Sequence, residues 1–358
     1  MKLFAGRVGR PRLRSIAAMT FALFTIIGTL AVVSPLTAGV ASAGATASTI
    51  PLGPFCGTAC QAALQLKVAP SSVNCKVAFL DDATSFPYGA TQFTKTAADG
   101  KEYFPNMKLT VLNGNGDATT ESNELRTVVS EGFKVVILDA VVEDALAPAA
   151  KYAISKGVKI IEIDRKVDAP VLTTIKAPDV PLGEREATYV VNQIHRSGNV
   201  VILSGTPGAS PTIDRTTGIM NVLKNYPKIH VVANVNGNYD TSTGYSVIRD
   251  ILSRYPAGAI SWIISEADVM TLGAVKAVEA DHRGGSVKIA SIDGQNEALA
   301  ILGQNGFMAD VVYPIVEPAD LVAAAKACTG ESMPNSIMLN YPLVTKANVK
   351  AYLGTNFG

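Results

Sequence analysis

Short apolar runs alternate with longer amphipathic stretches from Cys75 onward. Residues 77–80, 108–112, 135–138 and 160–163 are compact hydrophobic runs of strand length, each too short for a buried helix. Between them, residues 90–103, 120–130 and 144–155 place apolar side chains at helical spacing, and Gly132 and Gly157 mark where the last two stop. Strand and helix in strict alternation predict a parallel sheet covered by helices on both faces. The pattern restarts beyond residues 178–181, which carry Pro178 and Pro181. Helices are expected at 184–194, 211–225, 242–254 and 269–280, and strands at 200–203, 229–233, 262–264 and 289–292. Trp262 falls inside one of these apolar strands and reads as core.

The two halves repeat at the level of letters. Val135-Val136-Ile137-Leu138, a helix, then Lys159-Ile160-Ile161-Glu162-Ile163-Asp164 matches Trp262-Ile263-Ile264, a helix, then Lys288-Ile289-Ala290-Ser291-Ile292-Asp293. Asp164 and Asp293 therefore stand at equivalent strand ends. Ligands of open α/β sheets bind outside the carboxyl ends of the strands. Two such lobes face to face make a cleft with a carboxylate on each wall.

Before the alternating body the chain changes character twice. Lys2, Arg7, Arg10, Arg12 and Arg14 precede an uncharged stretch from 16 to 33, and Val40-Ala41-Ser42-Ala43 then Gly44 supplies a small-residue cleavage site. This is the pattern of an export signal over residues 1–43; the alternative is an uncleaved anchor, since 18 apolar residues sit at the lower limit of a spanning helix. Either reading places the rest of the chain in a periplasmic or extracellular space. Residues 44–74, with Pro51, Pro54 and Pro70, read as an arm bearing one short helix at 59–67, and the folded body is expected to begin near Cys75.

Composition narrows the function. The chain of 358 residues is 48% hydrophobic and 17% charged, enough to bury a large core and too apolar for a disordered protein. Lys and Arg number 31 against 30 Asp and Glu, and the five basic residues of the export segment leave 26 against 30, so no basic excess favours nucleic acid. A phosphate-binding Gly-x-x-x-x-Gly-Lys, a Gly-x-Ser-x-Gly elbow and a His-Glu-x-x-His pair are all missing. Gly114-Asn115-Gly116 follows a strand but lacks the third glycine of a dinucleotide fingerprint, and His195, His230 and His282 are isolated from one another. A sugar-acting enzyme is the rival reading, because paired carboxylates also serve acid and base roles. Cys56, Cys60, Cys75 and Cys328 all lie in the exported part, where disulfides form and four cysteines permit three pairings. Ligand spacing for a metal is absent around them.

Several motifs in order resemble the type I periplasmic solute-binding proteins of sugar ABC importers, nearest to the ribose-binding branch. They are Lys76-Val77-Ala78-Phe79-Leu80 leading to Ser85-Phe86-Pro87-Tyr88, then Ile163-Asp164-Arg165, then Gly205-Thr206-Pro207-Gly208-Ala209-Ser210 with Arg215 and Gly218 beyond, then Asp268-Val269-Met270-Thr271-Leu272-Gly273-Ala274, then Ile292-Asp293-Gly294. The resemblance covers roughly residues 75–350 and implies two doubly wound α/β lobes joined by three hinge crossings. Those crossings are expected near 177–181, 313–314 and 340–343. The first lobe would then hold 75–178 with 314–341, and the second 179–313 with 342–358. With Cys75 and Cys328 in one lobe, the expected pairs are Cys75 with Cys328 and Cys56 with Cys60.

Carried over residue by residue, the resemblance implies a ligand site of Asp82, Tyr88, Asp164 and Arg165 from the first lobe and Arg215, Tyr239 and Asp293 from the second. Carboxylates accept from vicinal hydroxyls, guanidinium groups donate to the same oxygens, and aromatic faces cover the C–H side of a sugar. Phe86, Ala267 and Tyr313 stand where the ribose branch carries amides, so the pocket is expected to be more aromatic than a ribose site, with Glu266 restoring some polarity. The implied partners are a sugar or polyol and an ABC permease, for a monomeric protein without cofactor or metal. A ligand-sensing subunit of a membrane receptor would look the same in sequence. A repressor of related fold would need a helix-turn-helix that residues 1–74 do not supply.

Overall fold

The computed structural model describes residues 50–358, so the expected export segment lies outside the described residues. The first lobe is built in order from α1 (Thr58–Ala63), β1 (Lys76–Asp81), α2 (Pro87–Tyr103), β2 (Lys108–Asn113), α3 (Ala118–Ser130), β3 (Val135–Leu138), α4 (Glu143–Ser155), β4 (Lys159–Ile163) and β5 (Thr173–Lys176). The second follows as α5 (Asp179–Gln193), β6 (Gly198–Ser204), α6 (Ser210–Leu223), β7 (Ile229–Asn236), α7 (Thr241–Arg254), β8 (Trp262–Ser265), α8 (Asp268–Ala280), β9 (Lys288–Asp293), α9 (Asn296–Ala300) and β10 (Phe307–Val312). The chain then returns with α10 (Ala319–Thr329) and β11 (Ser336–Met338), and crosses once more to β12 (Leu343–Thr345).

The sheet orders are β2-β1-β3-β4-β5-β11 and β7-β6-β8-β9-β10-β12. Every pairing is parallel except β10 with β12. The central strands are apolar on both faces because helices cover both: Val77, Phe79, Ile137 and Ile161 pack on one side with α10, while Ala78, Leu80, Val136 and Ile160 pack on the other with α3 and α4. The second lobe divides its core the same way, and Trp262 lies in the half that faces α5 and α6, edge-on to Tyr189. Asp117 and Asp240 start α3 and α7 by accepting the amides of Thr120 and Thr243 at 2.6 and 2.7 Å. The repeat is spatial as well: β3 and β4 hold the same places in their sheet as β8 and β9 in theirs. Asp164 and Asp293 thus sit at matching strand ends.

Four expectations need correction. Residues 50–74 are part of the folded body, because Cys56, Cys60, Leu64 and Val73 are buried in the first lobe's core and Phe55 in the second's. The helix in that segment is shorter than expected, Thr58–Ala63 rather than 59–67. The break at residues 178–181 is only two residues long: α5 begins at Asp179 with Pro181 inside its first turn, where a proline's missing N–H leaves no helical bond unmade. Finally, β5, β10, β11 and β12 carried no expected strand. β5 reads Thr-Thr-Ile-Lys, and its Lys176 is buried by pairing with Asp179 rather than by being apolar.

Candidate functional site

Helix packing places the first charged group. α5 and α6 cross so closely that a Cβ on Gly218 would lie 2.1 Å from the carbonyl oxygen of Val180. This approach brings Arg215, on α6, against Asp179 at the start of α5: Arg215 Nε donates to Asp179 Oδ1 at 3.0 Å. Its Nη1 donates to Asp293 Oδ1 at 3.1 Å and to the Glu266 carbonyl at 2.5 Å, and the guanidinium stacks 4.8 Å above the Tyr313 ring. Asp293, ending β9, also accepts the Asp268 amide at 3.2 Å. Burial, then Asp268 and Asp164, push the Asp293 pKa up to about 8 against the pull of Arg215. Burial also pushes Asp179 upward, but Lys176 and Arg215 outweigh it and hold that carboxyl below its usual range.

The first lobe presents a matching set. Asp164, just past β4, has φ of 45°, a left-handed backbone that turns the chain away from the strand, and Lys176 Nζ donates to its carbonyl at 2.5 Å. Arg165 pairs through Nη2 with Asp82 Oδ2 at 2.9 Å, and donates from Nη1 to the Val141 carbonyl at 3.2 Å. Its Nε is buried without a hydrogen-bond partner among the described residues. The guanidinium lies 5.5 Å from the Phe86 ring and 5.8 Å from the Tyr239 ring, so one cation is shared by an aromatic from each lobe. Tyr239 in turn is seated by Gly205, where a Cβ would come within 2.1 Å of the tyrosine ring, and its hydroxyl is 2.9 Å from Thr212 Oγ1.

Between these walls lies a cavity with about 40 Å³ of room for the centres of water-sized spheres. Of the eleven residues expected at the site, Phe86, Tyr88, Asp164, Arg165, Arg215, Tyr239, Asp293 and Tyr313 line it. Tyr88 packs tilted on Tyr313 at 5.6 Å between centroids, and both hydroxyls are buried with no partner among the described residues. Asp82, Glu266 and Ala267 do not line it. Asp82 lies behind Arg165 as its counter-ion. Glu266 accepts the Gly205 amide at 3.0 Å and the Thr216 hydroxyl, which fixes the loop under Tyr239. Ala267 is the residue before α8, and its carbonyl accepts the Thr271 hydroxyl at 3.1 Å. Reasoning from sequence missed Gln295, whose Oε1 is buried with no partner among the described residues, and Phe357. Gln295 lies two residues past Asp293 on the same strand-end loop, a signal that could have found it. Nothing in the spacing of the sequence marks Phe357.

The lobes also touch outside the cavity. The Lys166 amide donates to Ser210 Oγ at 2.9 Å and its ammonium pairs with Asp214, so the loop after β4 is tied to α6. Behind Arg165, the carboxylates of Asp81, Asp82 and Asp139 lie within 4.8 Å of one another. Arg165 supplies positive charge there through the Asp82 pair, and its backbone amide donates to Asp139 Oδ1 at 3.2 Å. Cys56 is bonded to Cys60, and Cys75 to Cys328.

Residues 83–325 match the periplasmic binding protein domain, more than half of the chain. The chain belongs to that family. Among its relatives, a xylitol-binding protein of Mycolicibacterium smegmatis is 26% identical over 268 residues, covering 73% of this chain and 76% of the relative. A ribose import binding protein of Bacillus subtilis is 26% identical over 206 residues, covering 57% and 66%. The fold is shared with a Caulobacter myo-inositol binding protein bound to myo-inositol, at a TM-score of 0.72 and 24% identity over 77% of this chain and 95% of that one. Among the described residues of this family member, no helix is long and apolar enough to cross a membrane.

Proposed function

We propose that the protein is an extracytoplasmic solute-binding protein that closes its two lobes on a small neutral polyol or sugar and presents it to an ABC-type permease. One observation carries the reading: two strand-end carboxylates, two guanidinium groups and several aromatic rings face a single cavity. Arg165 is matched by Asp82, and Arg215 by Asp179 and Asp293. A polyhydroxylated ligand finds acceptors, donors and aromatic faces together. The relatives' functions, xylitol binding and ribose import, point the same way.

The test is a thermal-shift screen of the full chain against polyols, pentoses, hexoses and nucleosides. A ligand at 100 times its Kd adds about 2.7 kcal/mol to the native state. The ligand should be recovered unchanged after incubation; its conversion would assign the protein to the enzymes. In cells, removing the protein should abolish uptake of that ligand, whereas unchanged uptake would assign it to sensing.

A further inference from the structure

Residues 355–358 are fastened to the binding site by more hydrogen bonds than a surface segment needs. Asn356 Nδ2 donates to the carbonyls of Asp293 at 2.8 Å and Tyr313 at 3.0 Å, while its Oδ1 accepts the Ile315 amide at 3.1 Å. One buried side chain therefore ties the end of β9 to the crossing that leaves β10. The next residue is held as firmly: the Phe357 carbonyl accepts the Asn296 amide at 2.7 Å. These bonds aim the Phe357 ring inward, where it is 3% exposed and lines the cavity. It meets the Tyr88 ring edge-on at 5.4 Å and 88°. Tyr88 belongs to α2 of the first lobe, so a ring anchored on second-lobe elements completes the wall across the cleft.

The space left beside that wall has about 40 Å³ of room for the centres of water-sized spheres. We propose that Phe357 is a specificity-determining residue, positioned by Asn356, that limits the ligand to compact polyols and pentose-sized sugars. This rests on the solute-binding function proposed above and deepens it. A rigid ring rejects a larger ligand by overlap, while a smaller one gains a flat apolar surface for its C–H face.

The test compares the parent with Phe357→Ala, Phe357→Leu and Asn356→Ala by calorimetry, with erythritol, xylitol and D-ribose as compact probes and D-glucose, sorbitol and myo-inositol as larger ones. The parent should favour its best compact probe over every larger one by at least tenfold. Phe357→Ala should move that ratio at least tenfold toward the larger probes, and Phe357→Leu should move it less, in the same direction. If circular dichroism shows that the Ala variant does not fold, the Leu variant carries the comparison. Asn356→Ala should also move the ratio, a change that mere loss of stability would not produce. A parent that binds compact and larger probes alike, or variants that leave its ratio unchanged, would overturn the size limit alone. A parent that binds no probe would overturn the proposed function and the size limit together.

Discussion

Arg215 is the side chain on which most of the second-lobe wall depends, because it holds Asp179, Asp293 and the Glu266 carbonyl at once. Arg215→Ala should weaken ligand binding by at least tenfold while the fold persists, since a truncated partner leaves buried groups unpaired at about 1–3 kcal/mol; calorimetry on the variant measures it. Gly205→Ala should weaken binding through geometry alone, because its new methyl would occupy the place of the Tyr239 ring. Asp81 makes a different kind of prediction. It is fully buried with both carboxylate oxygens unpartnered among the described residues, and burial, then Asp82 and Asp164, push its pKa from 3.8 up to about 9. A carboxyl whose folded pKa is raised keeps its proton in the native state while the unfolded chain has released it, so its contribution to stability falls as pH rises. Asp81→Asn should therefore melt higher than the parent, with the gap widening from pH 5 to pH 8 in calorimetric scans. An unchanged gap would show that the carboxyl ionises normally.

At the scale of elements, the apolar runs and helical spacing made the central strands and long helices legible, because burial on both faces demands continuous hydrophobicity. The last two strands of the first sheet were not legible. β5 and β11 need only a few residues and tolerate polar ones, so neither Thr173-Thr174-Ile175-Lys176 nor Ser336-Ile337-Met338 stands out from a loop. The two disulfides illustrate how sequence separation, rather than local geometry, decides the worth of a link. Cys75–Cys328 spans 253 residues and joins the start of β1 to the end of α10, whereas Cys56–Cys60 spans 4. Loop entropy makes the longer link stronger by roughly 3–4 kcal/mol. Replacing Cys75 and Cys328 with Ser should lower the melting temperature clearly more than replacing Cys56 and Cys60, as differential scanning calorimetry would record.

For the molecule as a whole, the candidate site was legible where it follows the internal repeat. Asp164 and Asp293 are found from matching strand ends, and Arg165 and Gln295 lie within two residues of them. Phe357 was not legible, because it reaches the cavity through tertiary hydrogen bonds that no local pattern encodes. Closure itself should respond to Lys166 and Asp214. This pair is half-exposed on the lysine side, so its loss is worth about 1 kcal/mol or less. Asp214→Ala should thus reduce ligand affinity only a few-fold, and the effect should shrink in high salt as titrations at 50 mM and 500 mM would report.

The return of the chain through α10 and β11 also orders events during synthesis. A nascent chain that has reached Val312 has already supplied five strands of the second sheet, yet the edge of β5 still waits for β11 and Cys75 still waits for Cys328. Each lobe is finished only by the returning chain, the first by β11 and the second, later still, by β12. Neither wall of the cleft can therefore mature alone on the ribosome, and a chain interrupted anywhere before β11 carries an open strand edge that invites pairing with another copy.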